Sequence, residues 1–489
     1  MPLQPSSTAD ALLKRNDDRV RSFALAVMDQ LPFEPNEEQL LLIVALAHFT
    51  LYSPERGVFL LAGYAGTGKT SLVGALVRAM RDMQRPCVLL APTGRAAHIL
   101  ADYSSHPAFT IHRKIYRQHS YGSDTFTLAE NKHQHTLFVV DEASMIADSA
   151  GNDNSATFGS GRLLDDLIAY AYNGQGCRLL LMGDSAQLPP VGCTASPALS
   201  EEVLQGYGLA VYGLTLRQIA RQESESGILA NATMLRQTME EGVLATPDLN
   251  VSDYLDIRAV SSEFLMETLD DCYSADGLEQ TIVITRSNRR ATLFNTGIRN
   301  RILYREEELA GGDILVVAKN NYLWAEDYEE LDFIANGDVL RVRRLHGDVE
   351  HAYGLRFINA TVQLPDHNDL EMDVKVVLDC LLSDTPALNR EQSERLFNEV
   401  WEELTGDRRE RYKQLKKHPY FNALQVKYAY AVTCHKAQGG QWNNVFVDMG
   451  GIAPEATTTL DYFRWLYTAL TRARRQVYLI NYFPQHTDE

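Results

Sequence analysis

The chain has 489 residues, with 46 Lys and Arg against 64 Asp and Glu, a formal net charge of −18. Its 45% hydrophobic and 9% aromatic content supplies several buried cores and excludes wholesale disorder. No run approaches the roughly 18 apolar residues of a membrane span, and the first twenty residues lack the apolar stretch of a secretory signal. The six cysteines (Cys87, Cys177, Cys193, Cys272, Cys380 and Cys434) are scattered singly. That spacing argues against a disulfide framework or a cysteine-rich zinc site and makes a reducing cytoplasm the default. The acidity also stands, on its face, against a polyanionic partner.

Residues 1–34 read as an N-terminal extension. From 35 to 220, apolar runs of strand length at Val58–Ala62, Val88–Ala91, Leu137–Val140 and Leu179–Met182 alternate with helical patterns. This is the signature of a parallel α/β sheet, with ligand loops at the strand ends. At about 113–136 the β-prone flanks KIYRQHSY and TFTLAE surround Gly122-Ser123-Asp124, which predicts a hairpin insertion. Residues 148–161 are small and polar and read as a loop. Further runs at Thr281–Thr285, Ile314–Ala318, Val339–Arg343, Val374–Leu378, Tyr428–Val432 and Val477–Ile480 predict a second α/β domain over 221–340 and 426–489. A mixed α/β insertion at 341–425 interrupts it, with one or two surface helices at 387–417.

The sharpest local signal is Gly63-Tyr64-Ala65-Gly66-Thr67-Gly68-Lys69-Thr70, followed by Ser71. It matches G-x-x-x-x-G-K-[ST] between the strand pattern VFLLA and the helical pattern SLVGALVRAM. Glycines let backbone N–H groups curl around phosphates, and a helix N-terminus favours the anion. Lys69 then reaches the β- and γ-phosphates of ATP, and the Thr70 hydroxyl ligates Mg²⁺. About 75 residues on, an apolar strand ends in Asp141-Glu142. Asp141 suits the Mg²⁺ shell, and Glu142 suits orienting or deprotonating an attacking water. A hydrolytic base beside the metal favours an ATPase over a small-molecule kinase.

Four sets of residues follow in order around these two. They are Ala91-Pro92-Thr93-Gly94-Arg95 with Thr110-Ile111-His112; Gly183-Asp184-Ser185-Ala186-Gln187-Leu188-Pro189-Pro190-Val191; Thr433-Cys434-His435-Lys436-Ala437-Gln438-Gly439; and Tyr467-Thr468-Ala469-Leu470-Thr471-Arg472-Ala473. Taken together, the chain resembles superfamily 1B DNA helicases of the RecD/Dda type over about residues 33–482. The resemblance implies two RecA-like parallel-sheet P-loop NTPase domains with ATP and Mg²⁺ between them. It also implies single-stranded DNA and single-strand/duplex junctions as partners, a monomeric motor, and 5′→3′ polarity. A rival in the same class is an RNA or RNA/DNA-hybrid helicase. A rival of another class is an ATP-switched adaptor that docks through 387–417.

The same resemblance suggests roles residue by residue. Gln187 would sense the γ-phosphate. Arg472 and Arg221 would act as arginine fingers, with Arg217 the alternative to Arg221. Gln39 would read adenine, or else face solvent, and Gly439 would lie on the nucleotide. Thr93, Arg95, Thr110, His112, Thr433 and His435 would contact DNA phosphates, although each histidine also suits a structural hydrogen bond. Arg286 and Asn288 open a segment, 286–305, with six arginines and no acid, read as a phosphate track. An aromatic at the hairpin tip, Phe126 rather than Tyr121, would be the strand-separating wedge.

Charge by segment removes the initial objection. Residues 69–117 hold eight basic and two acidic residues, and 240–280 hold one basic and eleven acidic. The expectation is a narrow basic track on a repelling surface.

Overall fold

The computed structural model describes residues 17–118, 125–148, 157–219, 226–328, 331 and 333–482. It divides into two compact units, the first running to Ala232 and the second from Thr233 onward. The division falls inside helix Gly227–Glu241, some twelve residues beyond the boundary expected at 220.

The first unit is a six-stranded sheet with a three-stranded satellite. Its strands are β1 (Gly57–Gly63), β2 (Cys87–Ala91), β3 (Ala108–Thr110), β4 (Tyr116–Gln118), β5 (Thr125–Leu128), β6 (Leu137–Val140), β7 (Thr157–Phe158), β8 (Arg178–Gly183) and β9 (Ala210–Leu216). The large sheet runs β3-β2-β6-β8-β1-β9 and every pairing in it is parallel. Its central strands are apolar throughout because helices cover both faces of a parallel sheet. Helices Asp18–Asp29 and Glu37–Tyr52 join this core through Val20, Phe23, Val27, Leu42, Ile43 and Leu46. The N-terminal extension therefore contributes a core helix, N-capped by the Asp17 carboxylate, which accepts from the Arg19 and Val20 amides at 2.9 Å.

The satellite sheet runs β4-β5-β7. β4 and β5 form an antiparallel hairpin. β7, from a segment read as loop, pairs with β5 in parallel and makes β5 the central strand.

In the second unit, β10 (Ile257–Val260), β11 (Thr281–Thr285), β12 (Ile314–Val317), β13 (Val339–Ala352), β14 (Leu355–Leu364), β15 (Leu370–Val377), β16 (Leu424–Tyr428), β17 (Ala431–Thr433), β18 (Trp442–Asp448) and β19 (Ala473–Ile480) build two structures. A parallel sheet runs β10-β19-β18-β11-β17. Strands β12 to β16 close into a barrel filled by Leu315, Leu340, Val342, Ala360, Val362, Val374, Val376 and Val426. The barrel spans Ile314 to Tyr428 and so takes in more than the expected 341–425 insertion. The run Tyr428–Val432 is not one strand: it is divided between β16 of the barrel and β17 of the sheet. The 387–417 segment forms two helices, Arg390–Glu403 and Arg408–Lys416, each opened by a capping box (Asn389 with Gln392, Asp407 with Glu410). They pack Leu396, Val400 and Leu415 against Phe357 and Val377 of the barrel.

The fold is thus two RecA-like parallel-sheet units, with a small β insertion in the first and a mixed α/β insertion in the second. No helix among the described residues is long and apolar enough to cross a membrane, and all six cysteines are free thiols.

Candidate nucleotide and nucleic-acid sites

The phosphate loop links β1 to helix Lys69–Asp82. Gly66 and Gly68 take φ of 78° and 83°, a left-handed geometry that glycine adopts without steric cost and that turns the loop back on itself. No side chain caps the helix N-terminus and its first turn holds no acid. The N–H groups and the helix dipole there suit an anion. Lys69 Nζ donates to the carbonyls of Gly63 and Tyr64, the latter at 2.8 Å, and the buried Thr67 hydroxyl donates to Tyr64 O at 2.8 Å. Thr70 and Ser71 follow in the first turn, half-buried, and Ala65 lies at the half-buried crown of the loop.

The sheet order places the remaining nucleotide residues at the same edge. β8 lies beside β1, and β6 beside β8, all parallel, so their carboxyl ends point one way. Asp141 and Glu142 follow β6. Asp141 Oδ1 accepts from the Glu142 amide at 2.7 Å, and Glu142 sits at φ 49°, where the chain leaves the strand direction. Gln187 follows β8 in a loop shaped by the buried Asp184, whose carboxylate accepts from the Ala186 amide at 3.0 Å. The Gln187 side-chain oxygen is buried with no hydrogen-bond partner among the described residues. Rotating the amide by half a turn presents an N–H donor at the same place, fit for a phosphate oxygen.

Gln39 has a different setting from the one expected. It is 2% exposed. Its Nε2 donates to Thr67 O at 3.0 Å, and its Oε1 accepts from the Asn36 amide at 3.1 Å. Its carboxamide therefore props the phosphate loop and closes a capping box, and reading adenine requires exchanging these bonds.

Arg221 lies outside the described residues. A methyl group on Gly66 would meet Leu229 at 3.0 Å and Ile219 at 3.1 Å, so the chain on both sides of 220–225 lies against the phosphate loop. Sequence reasoning missed Glu38, whose Oε2 accepts from the Arg217 and Gln218 amides at 2.8 Å each and fixes the approach to that segment. A contact between positions about 180 residues apart leaves no local signal.

Arg472 belongs to the second unit and is 4% exposed. Its guanidinium donates to Thr468 O at 3.2 Å and to Gly440 O at 3.4 Å, next to Gly439 at φ 74°.

The expected strand contacts divide by unit. Thr93 and Thr110 are helix N-caps: their hydroxyls accept from the Ala96 and Arg113 amides at 3.3 and 3.2 Å. Each hydroxyl keeps its own O–H to donate. Arg95 is half-buried in the first turn of helix Gly94–Ser104. Burial pushes the His112 pKa down to about 4 against the pull of Asp166, so the ring is neutral. It lies 5.7 Å from the Tyr116 ring, whose hydroxyl donates to Asp166 at 2.7 Å. In the second unit, Thr433 caps the short helix Cys434–Ala437 without a side-chain bond, leaving its hydroxyl for another partner. Desolvation lowers the His435 pKa, with Asp461 opposing. Asn288 begins helix Asn288–Arg301.

Two expectations need correction. Phe126 is 7% exposed, because β7 makes β5 a central strand; the side chain is packed, not presented. Tyr121 and the turn at 122–124 lie outside the described residues. The arginines of 286–305 are not uncompensated. Arg290 pairs with Asp448 at 2.6 Å, Arg299 with Asp313 at 3.0 Å, Arg305 also with Asp313, and Arg286 with Asp461 at 3.1 Å. Asp313 is fully buried and also accepts from the Tyr430 hydroxyl at 2.8 Å, so this pair of arginines anchors a helix to the barrel. Arg289 and Arg301 remain exposed.

Comparisons with known proteins agree with this arrangement. A family profile described as an AAA domain matches residues 36–248, and one described as a UvrD-like helicase C-terminal domain matches 428–480. The ATP-dependent RecD2 DNA helicase of Deinococcus radiodurans is 25% identical over 431 residues, covering 85% of this chain and 45% of that protein. An uncharacterised protein of Methanocaldococcus jannaschii is 22% identical over 488 residues, covering 86% of this chain and 36% of that protein. The chain thus spans less than half the length of either. A crystal structure of a Bacteroides Pif1 helicase in complex with ADP-AlF3 and single-stranded DNA is 16% identical, with a TM-score of 0.44 and 92% of each chain covered. Two family profiles thus match in sequence order, an AAA domain over the phosphate loop and a UvrD-like helicase C-terminal domain over Arg472, and the chain is similar to a RecD2 DNA helicase across both.

Proposed function

We propose that the chain is an ATP-driven motor that moves 5′→3′ on single-stranded DNA and separates the strands at single-strand/duplex junctions. The observation that carries this reading is the single sheet edge shared by the phosphate loop after β1, Asp141-Glu142 after β6 and Gln187 after β8.

On that edge, the loop amides and Lys69 bind the β- and γ-phosphates of ATP. The Thr70 hydroxyl and the Asp141 carboxylate are hard oxygen donors, and no cluster of three His, Cys, Asp or Glu exists among the described residues. This matches Mg²⁺, which takes one or two protein oxygens and completes its shell with phosphate and water. Bound there, Mg²⁺ would neutralise charge on the phosphate oxygens. Glu142 orients the attacking water and accepts its proton. Gln187 reports the γ-phosphate by a hydrogen bond. Arg472, and Arg221 with it, stabilise charge developing on the transferred phosphoryl group, as arginine fingers do. Hydroxyls at Thr93, Thr110 and Thr433 hold the strand, and the change in grip between nucleotide states produces movement.

The test is the rate of ATP hydrolysis without polymer, with single-stranded DNA and with RNA. The reading predicts strong stimulation by DNA. Stimulation by RNA alone would move the substrate to RNA, and none by either polymer would remove the motor.

A further inference from the structure

Arg286 stands just past β11, with the second unit's expected strand contacts. Its Nη2 donates to Asp461 Oδ2 at 3.1 Å, and its guanidinium carbon lies 5.5 Å from the Tyr462 ring centre. Its Nη1 is buried with no hydrogen-bond partner among the described residues. A guanidinium is a fork built to hold an oxyanion by two parallel bonds, and here only one prong is used. Asp461 opens helix Leu460–Leu470, whose N-cap is Thr459, and its side chain is 68% exposed and free to turn away. The same carboxylate acts on two more cationic or ionisable neighbours. Burial lowers the pKa of both His435 and Arg464, and Asp461 opposes that shift in each. One exposed carboxylate therefore pairs with Arg286 and also acts on Arg464 and His435.

We propose that Asp461 is a built-in phosphate mimic that occupies Arg286 and is displaced by a backbone phosphate of single-stranded DNA, so that it sets the strength of grip. The proposal rests on the single-strand-motor reading above. Its logic is competition. An exposed ion pair contributes little, so the exchange is close to balanced, and a motor that must release its track repeatedly gains from that balance. Asp461 touches the arginine, not the nucleic acid, and is a positioning residue.

The test is fluorescence anisotropy of a labelled oligothymidylate with wild type, Asp461→Asn, Asp461→Glu, Arg286→Ala, and the double variant Arg286→Ala/Asp461→Asn, across a salt series. Asp461→Asn is expected to bind about two- to fivefold tighter at low salt. Its plot of log affinity against log salt should keep nearly the wild-type slope, because Arg286 meets the same phosphate in both, whereas Arg286→Ala should flatten it by roughly 0.7, the value of one lost phosphate contact on a single strand. Asp461→Glu keeps the charge and should bind as wild type does, which separates gating from a folding defect. In the Arg286→Ala background the Asn substitution should gain nothing. If wild type binds and Asp461→Asn binds no tighter, or the gain persists without Arg286, the mimic is overturned while the motor reading stands. If wild type binds no single strand, both fall.

Discussion

Lys69 carries the clearest consequence at the scale of one residue. Replacing it with Ala removes the ammonium that now rests on the carbonyls of Gly63 and Tyr64 in the phosphate loop. ATP hydrolysis should fall by roughly two orders of magnitude or more, as loss of one preorganised charge in an active site does. The melting temperature should hold, because Lys69 is only half-buried. A phosphate-release assay checks this, and a fully active variant would refute the site. Lys69, Thr70, Asp141 and Glu142 were legible in the sequence because their chemistry fixes their spacing to a strand end. Gln39 was legible as a residue and not in its setting, since its Thr67 and Asn36 partners are set by how helix Glu37–Tyr52 lies on the loop. Asp461 and Glu38 gave no signal, because each acts on a residue more than 170 positions away.

Elements show the same division. The strands β1, β2, β6 and β8 coincide with apolar runs seen in the sequence, because parallel strands covered on both faces need continuous hydrophobicity. β7 is two residues long and β14 alternates buried with half-buried positions inside a barrel, so neither stood out. That short β7 changes the expectation for Phe126. A buried aromatic in a central strand costs about 3 kcal/mol or more when cut to Ala. Phe126→Ala should therefore lower the melting temperature by several degrees, with ATPase and unwinding falling together. Thermal denaturation alongside both assays decides it. An unchanged melting temperature with unwinding lost and DNA-stimulated ATPase kept would restore the wedge. Helix Asn288–Arg301 gives a parallel lesson. Counted along the chain, its arginines look like a track, yet the acids that pair with Arg290 and Arg299 come from other elements, at Asp448 and Asp313.

For the whole molecule the question is how a chain of net charge −18 would hold the polyanion proposed as its track. Much of the positive charge in 286–305 is used inside the second unit, which leaves fewer cations for phosphates than the sequence count suggests. Since each phosphate contact on a single strand contributes about −0.7 to the salt slope, binding should show a slope of only roughly −1 to −3. Anisotropy titrations between low and physiological salt measure it, and a much steeper slope would mean a basic surface beyond the arginines assigned. The proposed motor unwinds directionally, driven by the site around Lys69. The most direct measurement is ATP-dependent unwinding of two partial duplexes that differ only in carrying a 5′ or a 3′ single-stranded tail. Strand separation from the 5′ tail alone, absent with Lys69→Ala, is the predicted result. Separation from the 3′ tail alone would contradict the polarity, and none from either tail, with ATP hydrolysis intact, would contradict the helicase itself.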